Sequence, residues 1–263
     1  MSEFVVRGER IFAAHGGRGF DPTLPALVLV HGAGMDHSVW ALQSRALAGH
    51  GRAVLAIDLP GHGRSEGEAL ASIAALADWL AEFIVAAGLS SAVVAGHSMG
   101  ALAALELAAR HPERVQALVL IGAAAVMPVH PDLIAAAAEE PAAAVAMITA
   151  WGFSAAAALG GSPAPGLWLS GGGKRLLERS RPGVLHTDLV ACDAYAGGDT
   201  AARRVACPAL VVAGGADRMA PASAGIALAA AIPGGRAVGL DGAGHMLMAE
   251  RPDAVLDALL TIG

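Results

Sequence analysis

The residues best suited to chemistry in this chain begin with Gly96-His97-Ser98-Met99-Gly100. An apolar stretch, Ala92-Ala95, precedes the pentapeptide and a helical pattern, Ala101-Ala108, follows it, which sets Ser98 at a sharp strand-to-helix turn. Strand and helix come very close at such a turn, so small neighbours are needed, and Gly96 and Gly100 supply that room. The spacing alone is weak, arising by chance in roughly one sequence in five of this composition. Its weight comes from the strand-turn-helix context. A hydroxyl is a poor nucleophile at neutral pH, so Ser98 needs a base within reach, and the base needs an orienting partner. Of the ten histidines, His245 is the best placed, on the Gly-rich loop Gly242-Ala243-Gly244-His245 that directly follows a strand-like run. In an open parallel sheet such loops gather at the carboxyl edge, where ligands bind. For the acid, Asp217 follows the run Ala209-Ala213 by a short glycine turn and can reach the neighbouring loop. Asp241, the other candidate, lies just before His245 and reads as the cap of its turn. His31, His37 and His62 also lie near strand ends, where His31 is expected to shape its loop and His62 its own turn. His15, His50, His111, His130 and His186 show no ligand-like spacing, and no H-E-x-x-H pattern occurs, so neither a metal nor a cofactor is expected.

The elements that must position these groups alternate along the chain. Short aliphatic runs at Ala26-Val30, Ala53-Ile57, Ala92-Ala95, Val115-Ile121, Ala209-Ala213 and Arg236-Leu240 read as strands, with helical patterns between most of them. Leu70, Ile73, Ala74, Ala77, Leu80, Ala81 and Ile84 follow helical spacing, with Glu68, Asp78 and Glu82 elsewhere on the wheel. Apolar strands separated by helices imply an α/β fold, with a parallel sheet covered on both faces. Phe4-Val6 and Ile11-Ala14 add an antiparallel hairpin at one edge. From about 123 to 200 no strand is readable. Ala-rich helical tracts (Ala135-Ala138, Ala142-Ala144, Ala155-Ala158) are separated there by the breakers Gly160-Gly161-Ser162-Pro163-Ala164-Pro165-Gly166 and Gly171-Gly172-Gly173, the triplet reading as a surface loop.

With these features in place the chain resembles the α/β-hydrolase family over nearly its whole length. The resemblance implies a mostly parallel sheet with helices on both faces and an inserted helical cap, with the core at 1–122 and 201–263 and the cap at 123–200. It gives the catalytic set in the family's chain order, Ser98, Asp217, His245. The loop His31-Gly32-Ala33-Gly34 stands where the family donates an oxyanion-hole N–H, and Asp58-Leu59-Pro60-Gly61-His62-Gly63-Arg64-Ser65 resembles the loop before the nucleophile-bearing unit. The oxyanion hole is then expected from the N–H groups of Met99, at a helix N-terminus, and Ala33, with Gly34 as the alternative second donor. Dehalogenases and epoxide hydrolases of the family use aspartate where Ser98 stands, and ring-cleavage carbon–carbon hydrolases typically carry Asn where His97 stands. Ester, thioester or lactone hydrolysis through an acyl-enzyme is the leading reading. Carbon–carbon hydrolysis, acyl transfer or perhydrolysis by the same residues, and a non-catalytic small-molecule receptor, are the alternatives.

Substrate contacts are expected from Met127, Trp151, Phe153 and Trp168 in the insertion, where Met147 and Leu159 are the other large apolar residues. Lys174, Arg175, Arg179 and Arg181 read as a solvated face, and as the place to look for a substrate carboxylate. Composition narrows the rest. The 263 residues can bury roughly 70% of the unfolded surface, so no staples are required. A net charge of −6, 55% hydrophobic and 15% charged residues exclude a disordered chain and argue against nucleic-acid or anionic-membrane partners. The mean hydropathy of +0.56 reflects 63 alanines more than any membrane-spanning run, and charges within the first ten residues break a secretory pattern. Cys192 and Cys207 read as reduced structural thiols. A cytoplasmic enzyme acting on a small molecule is expected, with a homo-oligomer left open.

Overall fold

A computed structural model describes residues 2–161 and 167–262, so of the expected breaker at 160–166, residues 162–166 lie outside the described residues. The strands are β1 (Ser2–Val6), β2 (Glu9–Ala14), β3 (Ala26–Val30), β4 (Ala53–Ile57), β5 (Ala92–His97), β6 (Val115–Ile121), β7 (Ala209–Gly214) and β8 (Arg236–Leu240). They form one sheet in the order β1-β2-β4-β3-β5-β6-β7-β8. β1 and β2 are an antiparallel hairpin, β2 pairs antiparallel with β4, and every pairing among the remaining strands is parallel. Arg7 and Gly8 both take positive φ, the requirement of a two-residue hairpin turn that matches strand twist. Every residue of β3, β4, β5 and β7 is buried, as strands covered on both faces demand. β8 differs because it is the edge strand, and residues 236–239 are exposed.

The helices are α1 (Ala41–Gly49), α2 (Ile73–Ala86), α3 (Met99–Arg110), α4 (Pro131–Glu139), α5 (Pro141–Gly152), α6 (Ala155–Ala158), α7 (Leu169–Leu177), α8 (Val184–Asp193), α9 (Gly198–Arg204), α10 (Ala222–Ala231), α11 (Leu247–Glu250) and α12 (Pro252–Leu260). One face of the sheet packs on α2 and α3, and the opposite face carries α1 and α12. The Ser72 hydroxyl caps α2 by accepting from Ala75 N–H at 3.2 Å. The buried face of α2 is wider than its spacing predicts. It includes Leu76, Trp79 and Phe83, because the helix lies against both α3 and β1.

The helices α4–α9 fill the connection between β6 and β7. Those from α4 to α8 share a small core of their own, built on Leu133, Val145, Ile148, Leu176 and Leu185. α9 instead packs on α3 and α10, so the last helix of the excursion already belongs against the sheet. The triplet Gly171-Gly172-Gly173 is a correction to the sequence reading, for it lies inside α7 and is no loop. A Cβ at Gly171 would come within 2.2 Å of the Trp168 ring, and one at Gly173 within 2.6 Å of the Phe153 ring. Close approach of two rings to the helix outweighs the roughly 1 kcal/mol that each internal glycine costs.

The hairpin is tied to α2 through aromatic contacts. Phe83 meets Phe4 edge-on at 5.4 Å and stacks on Trp79 at 5.6 Å. Truncating this fully buried ring, Phe83→Ala, is expected to cost about 3–5 kcal/mol and to lower the melting temperature by roughly 10 °C, measured by calorimetry.

Candidate active site

Ser98 follows β5 and precedes α3, with φ 53° and ψ −118°, a left-handed conformation that residues with a Cβ rarely adopt. The two flanking glycines are steric necessities. A Cβ at Gly96 would sit 2.1 Å from the Gly100 carbonyl oxygen, and one at Gly100 would sit 2.5 Å from the His31 carbonyl oxygen. Gly32 also approaches closely, since its Cβ would lie 3.3 Å from Cβ of Ser98. The side chain is left half-buried at a cavity mouth, while the amide donates to the Ile121 carbonyl at 3.0 Å.

His245 and Ser98 line the same cavity, of about 300 Å³. The buried Asp217 carboxylate accepts from His245 Nδ1 at 2.8 Å through Oδ2, which leaves Nε2 as the basic nitrogen. Its Oδ1 accepts from the amides of Met219 and Ala220 at 2.8 and 2.9 Å. Burial alone would raise the Asp217 pKa, but the His245 charge and these hydrogen bonds outweigh it and hold the carboxyl below its ordinary value. Asp241 is exposed, and among the described residues its carboxylate accepts no hydrogen bond, so the expected turn cap is not formed. Gly122, with φ 58°, backs the imidazole, and a Cβ there would lie 3.2 Å from His245 Nδ1.

Two further residues hold the His245 loop and were missed in the sequence. His97 donates from Nε2 to the His245 carbonyl at 2.9 Å, and the two rings lie 4.7 Å apart. Burial, and secondarily the neighbouring His245, push the His97 pKa down to about 3, so it serves as a neutral donor. Glu250, fully buried, accepts from Gly244 N–H at 3.1 Å and Ser154 N–H at 3.3 Å. His97 was legible as a position, because it adjoins Ser98. Glu250 carries no sequence signal that separates it from a surface glutamate.

The amides of Ala33 and Met99 donate to no other group among the described residues, and both residues border the Ser98 turn. Gly34 is different, because its N–H is taken by the Asp188 carboxylate at 2.8 Å. Of the expected substrate contacts, Met127 and Trp151 line the cavity. Phe153 and Trp168 do not. Phe153 is buried beside Gly173, and Trp168, 67% exposed, covers Gly171, so both face a separate cleft bordered by Leu42 and Met248. The rest of the wall includes Met35, Leu133, Ile148, Leu189 and Met219, residues that no motif marks. Cys192 is also in the wall, its thiol pushed up by burial. The cationic side chain at the cavity is Arg218. The 174–181 cluster points elsewhere. Lys174 and Arg175 pair with Glu178, Arg179 with Asp36, and Arg181 donates to the Gly63 and Ser65 carbonyls.

A carboxylate–imidazole cluster of metal-binding size occurs at Asp36, His37 and Asp58. Its carboxylates already serve the loop: Asp58 accepts from His37 and from the Arg64 amide, and Asp36 from the Ser38 amide and Arg179. No helix among the described residues is long and apolar enough to cross a membrane.

Known proteins share this arrangement of sheet and helices. The chain is similar to the enol-lactonase from Burkholderia xenovorans, with 27% identity, a TM-score of 0.88 and 99% of each chain covered. It is also similar to a hydrolase from Pseudomonas aeruginosa (26% identity, TM-score 0.85, 99% of this chain and 97% of that one). A thermophilic esterase is a third (27% identity, TM-score 0.81, 99% and 95% covered). The Alpha/beta hydrolase family profile matches residues 27–258, from β3 through most of α12 and including the Ser98 turn. With the sheet order, the serine turn and that match in agreement, the chain belongs to the Alpha/beta hydrolase family and is a hydrolase.

Proposed function

We propose that the protein cleaves small, mainly apolar carboxylic esters or lactones through an acyl-enzyme on Ser98. The observation that carries this reading is the convergence on one apolar-walled cavity of a serine on a strained turn and an imidazole whose Nδ1 is committed to a buried carboxylate. His245 Nε2 takes the Ser98 proton as the oxygen attacks the substrate carbonyl, and Asp217 stabilises the imidazolium that forms. The Ala33 and Met99 amides receive the developing oxyanion, and Met99 adds the positive end of α3. His245 then protonates the departing alcohol oxygen, and a water, activated by the same imidazole, releases the acid. Proton and charge balance close within these groups, so the cycle requires no cofactor. The substrate class is supported by the similarity to an enol-lactonase and an esterase at 27% identity each. A cavity of about 300 Å³ lies at the small end of ligand sites. Met127, Trp151 and Leu189 from the cap offer apolar contact, and Arg218 stands where the cavity meets solvent.

Ser98→Ala is expected to keep its melting temperature and to lose about 10⁴-fold or more in kcat on p-nitrophenyl butyrate; near wild-type turnover would remove Ser98 from the reaction. Asp217→Asn should lose roughly 10⁴-fold in kcat with little change in KM, because the wrong imidazole tautomer is favoured. Asp241→Ala should stay within about twofold, since its carboxylate accepts no hydrogen bond among the described residues. The depressed Asp217 pKa adds a pH signature. Its contribution to stability is present above the ordinary carboxyl value near ~4 and is lost as pH falls through the lower folded value. The melting temperature of Asp217→Asn should therefore fall less steeply than that of wild type below about pH 4. Leu189→Phe, which narrows the cavity from α8, should shift the preferred p-nitrophenyl ester toward shorter acyl chains, read as kcat/KM across a graded series.

A further inference from the structure

The helical excursion meets the loop after β3 through one buried carboxylate, Asp188 of α8, which is 1% exposed. Its Oδ2 accepts from the Gly34 amide at 2.8 Å and from His62 Nε2 at 2.8 Å. The other His62 nitrogen, Nδ1, donates to the Pro60 carbonyl at 2.9 Å. Both ring nitrogens therefore face acceptors, the arrangement of an imidazolium. Burial alone would lower the His62 pKa, yet the Asp188 charge and hydrogen bond outweigh it and the net direction is upward. The next ring, His31, stays neutral, since burial first and the His62 charge second push it down to about 4.

The geometry at Gly34 gives this contact its consequence. Gly32 to Met35 form a turn closed by Met35 N–H to the Gly32 carbonyl at 3.2 Å, with Gly34 third and at φ +66°. Positive φ at that position is the mark of a type II turn, and the alternative type I turn differs mainly by rotation of the central peptide, here Ala33–Gly34. Because N–H and C=O of one peptide point in opposite directions, that rotation would withdraw the Gly34 N–H and turn the Ala33 carbonyl toward the Asp188 carboxylate. α8 also approaches the turn too closely for a side chain there. A Cβ at Gly34 would lie 2.8 Å from Cδ1 of Leu185, which precedes Asp188 by three residues on the same helix face.

We infer that Asp188 is a positioning residue: from the cap helix it holds the Gly34 N–H and so anchors the Gly32–Met35 turn, keeping the Ala33 amide, whose N–H lies in the preceding peptide, in place for the developing oxyanion while the Gly34 amide is engaged elsewhere, with His62 as its brace. This rests on the reading of Ser98 as the nucleophile. It means that the oxyanion hole is complete only when α8 is seated against the core. The test is the second-order rate of Ser98 labelling by a fluorophosphonate, with kcat, KM and melting temperature, for wild type, Asp188→Ala, Asp188→Asn, His62→Gln and Arg179→Gln. Arg179→Gln cuts a different cap–core tie, the contact to Asp36 at 2.9 Å. Losing an oxyanion donor costs about 10² to 10³ in rate. Asp188→Ala is expected to lose that much in labelling and in kcat with KM within about threefold. Asp188→Asn, whose amide oxygen can still accept from Gly34, should fall between Ala and wild type, and His62→Gln should show the same kcat-weighted loss. Arg179→Gln should label as wild type does. If folded Asp188→Ala labels at the wild-type rate, the inference is wrong. It is equally wrong if Arg179→Gln and Asp188→Ala lose activity alike, or if the loss appears mainly in KM. Should Asp188→Ala fail to fold, Asp188→Asn and His62→Gln decide by the same readouts. Failure of the wild type to label at Ser98 would instead defeat the nucleophile assignment, which keeps the two outcomes apart.

Discussion

The structure depends on a backbone held where a serine does not ordinarily go. A φ of 53° with ψ −118° at Ser98 costs on the order of 1–3 kcal/mol. It survives because β5 and α3 are packed so closely that Gly96 and Gly100 have no space for a methyl group. Much of the surrounding architecture serves that closeness. β5 lies between β3 and β6 in the middle of the sheet, and α3 is buried over most of its length on alanines that let it approach. The result is a hydroxyl lifted out of the chain's path at the N-terminus of a helix. Two backbone amides without other partners among the described residues, those of Ala33 and Met99, border the same turn.

Around this fixed point, buried carboxylates hold moving parts in register. Asp217 holds the imidazole ring, Glu250 holds the amides of Gly244 and Ser154 beneath it, and Asp188 holds the amide of Gly34. A buried carboxylate is costly unless its oxygens are satisfied, and each of these three accepts at least two hydrogen bonds. The same cost makes the geometry sharp, because a small displacement would leave a charge buried without partners. Asp188 stands apart, for it comes from the helical excursion between β6 and β7, whereas Asp217 and Glu250 follow β7 and β8. It ties the loop after β3 to α8.

Much of this was legible in the sequence where local chemistry and local structure coincide. The six parallel strands could be read because each is a short, mainly aliphatic run, broken only by Gln116 in β6 and by Arg236 and Gly239 in β8, and Ser98 because its glycines are demanded by the turn that carries it. Asp217 and His245 could be read from loops that follow strands. Where long-range packing decides, the sequence was mute or misleading. The glycine triplet of α7 reads as a loop because nothing local reveals that the rings of Trp168 and Phe153 will lie against it. The same packing turns those two rings away from the cavity that they were expected to line. Asp188 and Glu250 are single acidic residues in helices. Their burial follows from contacts with residues far away in the chain, such as Gly34 and His62 for Asp188. That the Gly34 amide is engaged by Asp188 was not readable from the sequence.

We propose that Ser98 carries the acyl group during turnover. This is tested most directly by quenching the protein in acid while it hydrolyses p-nitrophenyl butyrate, and by measuring its intact and peptide masses. A butyryl adduct is expected on the peptide containing Ser98, accumulating in Asp217→Asn if deacylation slows more than acylation, and absent from Ser98→Ala. Turnover by Ser98→Ala at the wild-type rate, or an adduct confined to another residue, would contradict it.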